Sequence, residues 1–329
     1  MLELHPLAYD LEGAVRLVRP ALAASAVAGE TIERRAGRIE DAVRAGAAQG
    51  LVAGPAHAAV GLALWDDGHL LGRSLELLYL EPTACSYAAY VQLLDAATPT
   101  DRALVFAPAH FAGLPDDRVA QLLRSRGFAR WGREEMQYPA DRPPPAPLVP
   151  DGTAWATARA DDAEELAGLH ARAYAGELDR YLLMTDRDPV ADARVLVRQL
   201  FDGRWGEFLE YASPVGRVGP SIVAACLVTR TEEGALLADV MADPAHRGRG
   251  LGGAAVRASV AALRARGETA IYLNVTLGNA AATRTYERAG FVRTIGPWWG
   301  FYSTRAIPVP EPVYPEAAVA SGSAADRVR

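Results

Sequence analysis

Glycines and arginines alternate in one short stretch of the chain, and together they could bind an anion. Residues 247–253 read Arg-Gly-Arg-Gly-Leu-Gly-Gly, directly before apolar residues at helical spacing, Val256, Val260 and Leu263. The first N–H groups of a helix lack partners and carry partial positive charge, so they favour an anion. Glycines let the backbone approach phosphate oxygens, and arginines add charge. The stretch predicts a site for a phosphate-bearing ligand.

Two common phosphate-binding motifs fit this loop poorly. A Walker A loop requires lysine, and the chain contains none. Residues 248–253 match G-x-G-x-x-G, the motif of dinucleotide sites, which should begin directly after its strand and be followed by an acid at the end of the next strand. Here residues 243–247 intervene, and the acid at a suitable distance, Glu268, precedes the next strand. The spacing therefore disfavours a dinucleotide.

Two motifs in order make this region similar to the GNAT N-acetyltransferase superfamily. The family signature Arg/Gln-x-x-Gly-x-Gly/Ala is met by Arg247, Gly250 and Gly252. A second signature, an Asn four residues beyond a strand and then a Tyr on a helix ending in Gly-Phe, is met by Asn279, Tyr286 and the pair 290–291. Either motif alone is weak, and their combination carries the resemblance.

The resemblance implies acetyl-CoA as co-substrate. Its pyrophosphate would bind the loop amides, and its pantetheine arm would follow the splayed end of the strand near residues 240–242. The residues predicted to contact the coenzyme are Val240, Met241, Ala242, Arg247, Gly248, Arg249, Gly250, Leu251, Gly252, Gly253, Asn274, Asn279 and Tyr286.

Acyl transfer to an amine also needs groups that manage protons. Tyr286 occupies the position that the family uses to point at the coenzyme sulfur. A phenol, with a pKa near 10, is a weaker acid than a thiol near 8.5, so we expect Tyr286 to donate a hydrogen bond to the leaving thiolate. The alternative is a tyrosine that only packs in the core.

A base for the amine is harder to assign. Many relatives carry Glu where Ala238 or Asn274 stands here. Asp239 is the only acid on the strand 236–242, and burial there would raise its pKa. We predict that it is the base or binds the amine; the alternative is a structural pairing with an arginine.

Acidic and aromatic residues are candidates for the acceptor site. The family places its acceptor between the first two helices and the last strands, which here indicates Glu177, Asp179, Trp298 and Trp299. Such residues suit a cationic or aromatic amine; the alternative is a solvated acidic face with core tryptophans. The six histidines show no metal-binding spacing, so no metal is expected, and His246 is expected to be a surface or phosphate-proximal residue.

The elements around these residues repeat along the chain. The strand before Pro82 corresponds to the one before Pro244, and the helix ending at Gly127 corresponds to the one ending at Gly290, at a nearly constant offset. The first copy lacks the glycine cluster. The expected fold is α/β with a mixed sheet: two GNAT-like domains, each a mostly antiparallel twisted sheet flanked by helices.

Length and composition set the outer limits. The 329 residues suit two domains, predicted as 1–138 and 152–306, with a proline-rich linker 139–151 and a disordered tail 307–329. A net charge of −6 disfavours binding to nucleic acid. No apolar run approaches the length that spans a membrane, and the N-terminal residues do not resemble a signal peptide, so a membrane protein is not expected. A cytoplasmic, bacterial protein, monomeric or homodimeric, is expected.

These patterns predict an acetyl-CoA-dependent N-acetyltransferase that acts on an amine of a small molecule by direct attack on the thioester. The degenerate first copy would pack on the active second one. Two alternatives stay open: an acyltransferase that uses a longer acyl-CoA in a biosynthetic pathway, and a non-catalytic acyl-CoA-binding regulator.

Overall fold

The computed structural model describes residues 1–24, 32–67, 72–98, 104–106, 121, 123–182 and 188–303. These residues form two compact units. The first contains the described residues up to Gly132 together with 298–303, and the second contains the described residues of Arg133–Pro297. No helix in these ranges is long and apolar enough to cross a membrane.

The first unit is a sheet with three described helices. Its helices are α1 (Leu11–Ala24), α2 (Ile32–Arg44) and α3 (Tyr87–Ala97). Its strands are β1 (Leu4–Pro6), β2 (Gln49–Ala53), β3 (Gly61–Asp66), β4 (Gly72–Leu80), β5 (Leu104–Phe106) and the end of β13 (Val292–Ser303). The strands follow one another in that order, and all neighbours are antiparallel except the parallel pair β4 and β5.

The second unit repeats this plan. Its strands are the end of β6 (Phe128–Gln137), β7 (Ala154–Thr157), β8 (Glu207–Phe208), β9 (Pro214–Val218), β10 (Ser221–Thr231), β11 (Gly234–Ala242) and β12 (Ile271–Thr276). Its helices are α4 (Ala163–Ala173), α5 (Leu178–Leu182), α6 (Pro189–Phe201), α7 (Leu251–Ala265) and α8 (Ala280–Ala289). The order is β7, β9, β10, β11, β12 and β6, and again only the fourth and fifth strands, β11 and β12, are parallel.

The repeated strand pattern agrees with the predicted duplication. In each unit the single parallel pair occupies the same place in the strand order, which a shared ancestral fold explains. The predicted apolar face of α7, Val256, Val260 and Leu263, is fully buried against the sheet. On the other sheet face Leu166 of α4 and Val197 of α6 are buried. The mixed α/β fold expected from the sequence is therefore present in both units.

The boundaries of the two compact units differ from the domain ranges predicted from the sequence. Residues 133–137 pair with β12 in the second unit, and Phe301 and Tyr302 pair with β5 in the first. The predicted linker, residues 139–151, belongs to the second unit, where Arg142 donates to the carbonyl of Gly290. The domain ranges 1–138 and 152–306 remain predictions, and the tail 307–329 lies outside the described residues.

Candidate active site

Strands β11 and β12 diverge, and a cavity opens between them. Their parallel pairing joins Ala235 to Ile271 and Leu236 to Tyr272. Beyond these pairs, residues 237–242 of β11 and 274–276 of β12 line a cavity of about 510 Å³. The loop 246–250, the start of α7 and helix α8 complete its walls. The cavity thus lies where the predicted phosphate loop meets the splayed strand.

One end of the cavity is formed by the start of α7. Gly250 precedes the helix in a left-handed conformation, with φ of 76°, and no side chain caps the helix. Gly248 has a similar φ of 79°. At Gly252 a Cβ atom would meet no protein atom within 4 Å, so open space faces this position. The first amides of α7 are therefore available to an anion, and small residues leave room for it.

The loop is held in place by Asp243. Its carboxylate accepts hydrogen bonds from the N–H of Ala245 at 2.9 Å and from Arg172 at 2.8 Å. Burial opposes ionisation of Asp243, but the Ala245 amide and the Arg172 guanidinium outweigh it and lower the pKa of this carboxyl. The charged carboxylate therefore fixes the turn that leads into the glycines.

The two loop arginines have different surroundings. Arg247 lines the cavity, and its guanidinium reaches the carbonyl of Ala173 at 3.4 Å. Arg249 instead donates to the carbonyl of Asp151 at 3.0 Å and is not among the residues that line the cavity. Only Arg247 is placed to add charge to the anion site.

Helix α8 contributes Tyr286 to the lining of the cavity. The helix begins at Asn279, whose side-chain oxygen accepts from the N–H of Ala282 at 3.1 Å. The Tyr286 ring is 8% exposed and packs edge-on against Phe291, with 6.2 Å between ring centres. Burial, followed by the influence of the neighbouring Cys226 and Asp239, raises the pKa of Tyr286. The hydroxyl therefore stays protonated and can act as a hydrogen-bond donor.

A bulge in β11 decides which way Asp239 faces. Asp239 pairs with Leu227 and Leu237 with Val228, so β11 advances two residues where β10 advances one. An extra residue of this kind shifts the alternation of side chains by one position. Leu237 packs in the core beside α7 and α8, whereas Asp239 meets partners on α4. The bulge therefore brings the carboxylate to the α4 side of the cavity.

The side-chain partners of Asp239 come from the C-terminal end of α4: His170 is on the helix, and Tyr174 follows its last residue. The hydroxyl of Tyr174 donates to its Oδ1 at 2.7 Å, and Nε2 of His170 lies 3.8 Å from its Oδ2. Asp239 is only 5% exposed, and its Oδ2 has no hydrogen-bond partner among the described residues. Burial raises the pKa of Asp239, although His170 and the Tyr174 hydrogen bond oppose the shift. A partly unsatisfied, buried carboxylate is a suitable proton acceptor.

Further polar groups line the same end of the cavity. Asp179 of α5 accepts hydrogen bonds from Arg133, at 3.0 Å, and from the Thr276 hydroxyl. Glu177 also lines the cavity. The side-chain oxygen of Asn274 is buried without a hydrogen-bond partner in the described part of the chain. The carboxylates of Glu177, Asp179 and Asp239 thus all line the cavity, and Arg133 pairs with that of Asp179.

The structure gathers most of the residues predicted from the sequence. Among the predicted coenzyme and catalytic residues, all but Arg249 line the cavity, and both predicted acidic acceptor residues, Glu177 and Asp179, line it too. The predicted Trp298 and Trp299 lie on β13, with side chains outside the described part of the structure. Within the described residues no cluster of His, Cys, Asp or Glu could hold a metal ion.

Three residues of this site were missed by the sequence reasoning. His170, in the last turn of α4, and Tyr174, which caps the helix, are four residues apart, a spacing that places both side chains on the same side and could have indicated a shared role. Arg133 has no such local signal, because its partners Asp179 and Thr276 are far away in the sequence.

Part of the chain is similar in sequence to a known protein family. Residues 184–291 match the family model described as Acetyltransferase (GNAT) family. None of the curated proteins matches the chain in sequence.

Several solved structures share the fold. A GCN5-related N-acetyltransferase from Sphaerobacter thermophilus is 18% identical with a TM-score of 0.56, over 91% of this chain and 95% of that one. A tandem GNAT protein from the clavulanic acid biosynthesis pathway is 17% identical with a TM-score of 0.51, over 92% and 98%. A GNAT-family acetyltransferase from Colwellia psychrerythraea is 14% identical with a TM-score of 0.52, over 91% and 98%. At these identities the likeness concerns the fold, which extends over both units.

Proposed function

Because residues 184–291 match the family model of the GNAT acetyltransferases, we propose that the protein transfers an acetyl group from acetyl-CoA to an amine of a small molecule. The observation that supports this most is the cavity between β11 and β12. Its lining includes Gly250 and Gly252 at the start of α7 and also Asp239 and Tyr286. The residues proposed for an anion site and those proposed for proton transfer therefore share one cavity.

The residues present suit the coenzyme. Its pyrophosphate would be bound by the amides at the start of α7 with the guanidinium of Arg247, and its pantetheine amides would face residues 240–242. The co-substrate supplies an acyl thioester with a thiol leaving group. The open space in front of Gly252 is the feature that a side chain would remove.

Asp239 and Tyr286 have different roles in this proposal: one removes a proton from the amine, and the other donates a hydrogen bond to the sulfur. An alkyl amine with a pKa near 10.4 is almost entirely protonated at neutral pH, so a base favours its attack. In this proposal Asp239 takes that proton, and its raised pKa makes it a stronger base than an exposed aspartate. Tyr286 donates a hydrogen bond to the sulfur as negative charge develops there. Attack on the thioester is direct, without an acyl-enzyme.

The acceptor is proposed to be a cationic amine. Glu177 and Asp239 line the cavity, whereas the charge of Asp179 is largely balanced by Arg133. A positively charged group entering the cavity would gain Coulomb energy and would reach the base as its ammonium form.

A coenzyme-release assay across small amines, polyamines, aminoglycosides and peptides tests this proposal. We expect thiol release from acetyl-CoA that depends on a cationic amine and yields an N-acetylated product. Faster release from a longer acyl-CoA would replace acetyl by that acyl group. Coenzyme binding without turnover across the whole panel would overturn the enzymatic proposal in favour of a regulator.

Binding of the coenzyme is tested separately by Gly252→Asp. A carboxylate in the first turn of α7 would repel a pyrophosphate bound there, so we expect the dissociation constant of acetyl-CoA to rise by about tenfold or more, with no loss of thermal stability because a negative charge is favourable at a helix N-terminus. Gly37→Asp, in helix α2 with equally open surroundings, is the matched control and should leave binding unchanged. Equal affinity in both variants would place the coenzyme elsewhere.

A further inference from the structure

Asp239 is contacted by two side chains at the C-terminal end of helix α4, that of His170 on the helix and that of Tyr174 directly after it. Tyr174 donates to Oδ1 at 2.7 Å, and the imidazole of His170 stands 3.8 Å from Oδ2. The two rings pack on each other with 4.4 Å between centres. Tyr174 lines the cavity, whereas His170 is 12% exposed and is not among the cavity-lining residues. Asp239 therefore stands between the cavity and a buried imidazole.

This arrangement addresses a weakness of a buried carboxyl as a base. Burial favours the neutral acid, so an isolated Asp239 would keep a proton once it had accepted one. A second proton acceptor next to Asp239 can remove this proton and restore the carboxylate. The oxygen nearer to His170, Oδ2, is also the one without a hydrogen-bond partner in the described structure. Closing the distance between Oδ2 and Nε2 by about 1 Å would form a hydrogen bond.

We propose that His170 and Tyr174 are positioning residues for Asp239: Tyr174 fixes one carboxylate oxygen, and His170 receives the proton that Asp239 takes from the amine. This proposal rests on the proposed amine acylation and assigns a relay within its site. It concerns residues that no part of the resemblance to the family assigns.

The N–H bond of the ammonium group breaks with its electron pair left on nitrogen, and an O–H bond forms at Oδ2 of Asp239. This bond then breaks as an N–H bond forms at Nε2 of His170, whose imidazole carries its other hydrogen on Nδ1. The carboxylate is regenerated, the net charge of the Asp239–His170 pair changes from −1 to 0, and the proton leaves to solvent after product release. Tyr174 keeps its own proton.

Other ionisable groups face this pair. Asp179 from α5, Tyr286 from α8 and Cys226 from β10 all interact electrostatically with Asp239. Burial raises the pKa of both Tyr286 and Cys226, so these two stay neutral and do not compete for the amine proton.

The test compares the pH dependence of kcat in His170→Gln and Tyr174→Phe with the wild type, using one amine at saturation. The same amine substrate is used for every variant, so a displacement of the acidic limb of the pH profile reflects a change in the protein. In His170→Gln the proton stops on a carboxyl, a weaker base than imidazole, and we expect kcat at pH 7 to fall about tenfold or more with the acidic limb about one unit lower. Tyr174→Phe removes a hydrogen bond that favours the carboxylate and should move the limb to higher pH.

Opposite displacements in the two variants would support the relay. His170 also lowers the pKa of Asp239 through its charge, so a purely electrostatic role for His170 would displace the limb to higher pH in both variants. That result, or a wild-type limb in both, would overturn the relay. His57→Gln, an exposed histidine of the first unit, is the matched control and should change nothing. Affinity for acetyl-CoA within about twofold of wild type shows that each variant is folded, and His170→Asn replaces His170→Gln if that variant is not. If Asp239→Asn keeps full activity, the proposed base itself is wrong, a result distinct from a failure of the relay alone.

Discussion

At Asp239 the demands of folding and of proton transfer oppose each other. The carboxylate is 5% exposed, and only one of its oxygens has a hydrogen-bond partner in the described structure. Its raised pKa means that folding favours the protonated form. The stabilising contribution is therefore full below the pKa of the unfolded chain, near 3.9 for Asp, and is lost as pH rises through the higher pKa of the folded state. At the pH where the carboxylate can act as a base, it weakens the fold.

Asp239→Asn should separate these two effects. The amide can still accept the Tyr174 hydrogen bond through its oxygen but cannot take a proton, so we expect kcat to fall by about a hundredfold or more. Because no buried charge remains, the variant should melt at a higher temperature than the wild type at pH 8, and this gain should shrink at pH 5. Thermal melts at both pH values and initial rates measure the outcome. A variant less stable at pH 8 than the wild type would contradict the assignment of an uncompensated carboxylate.

For Tyr286, in contrast to Asp239, the raised pKa favours the proposed role, because the protonated hydroxyl can donate a hydrogen bond. In Tyr286→Phe we expect kcat to drop well over tenfold while the dissociation constant of acetyl-CoA stays within about twofold, since the ring still packs against Phe291. Tyr272→Phe is the control: it also loses a buried hydroxyl, bonded to Thr231 at 2.7 Å, but outside the cavity. Unchanged turnover in Tyr286→Phe would remove the residue from the chemistry.

Among the elements, the loop before α7 shows how far local sequence can specify a site. Its glycines and their left-handed turns follow from residue types alone, and so does a helix that starts at Gly250. Arg247 and Arg249 are equivalent in the sequence, two residues apart in one loop. Their separation depends on residues 139–151, which run beside the loop and offer the carbonyl of Asp151 to Arg249. No local pattern predicts that contact, because it joins segments that are distant in the sequence.

We therefore expect the two arginines to contribute unequally to coenzyme binding. Arg247→Ala removes a cation from the cavity and should raise the dissociation constant of acetyl-CoA by about tenfold, the scale of one charge-assisted hydrogen bond. Arg249→Ala should change it by less than about threefold. Calorimetric titrations at low and high salt measure both, and the loss in Arg247→Ala should shrink as salt screens the charge. Equal losses in the two variants would show that Arg249 turns towards the ligand.

At the scale of the whole molecule, the sequence predicts the elements better than it predicts their partners. The duplication, the α/β class and the strand before the loop could be read from periodicity and from repeated landmarks. The bulge at residue 238 and the strand pairing of residues 133–137 with β12 could not, because both depend on backbone registers set by distant residues. The His170–Asp239 contact depends on that bulge, so it could not be predicted from the sequence for the same reason.

These pairings make the second unit sensitive to where the chain is cut. A fragment of residues 133–297 keeps the strand beside β12, whereas a fragment of 139–306, close to the predicted domain, loses it together with the buried Met136 and Tyr138. Each large buried side chain contributes about 1.5–3 kcal/mol, and domains are stable by only about 5–15 kcal/mol.

We therefore expect 133–297 to melt cooperatively and to bind acetyl-CoA, and 139–306 to be largely unfolded, as measured by circular dichroism and calorimetry. The fragment 139–306 also lacks Arg133, so a third fragment, 133–297 with Arg133→Ala, separates loss of the strand from loss of the ion pair with Asp179. Equal stability of 133–297 and 139–306 would mean that residues 133–138 do not belong to the folded core of the unit. If only 133–297 folds, the strand contributed by residues from before the proline-rich segment is part of the smallest active protein.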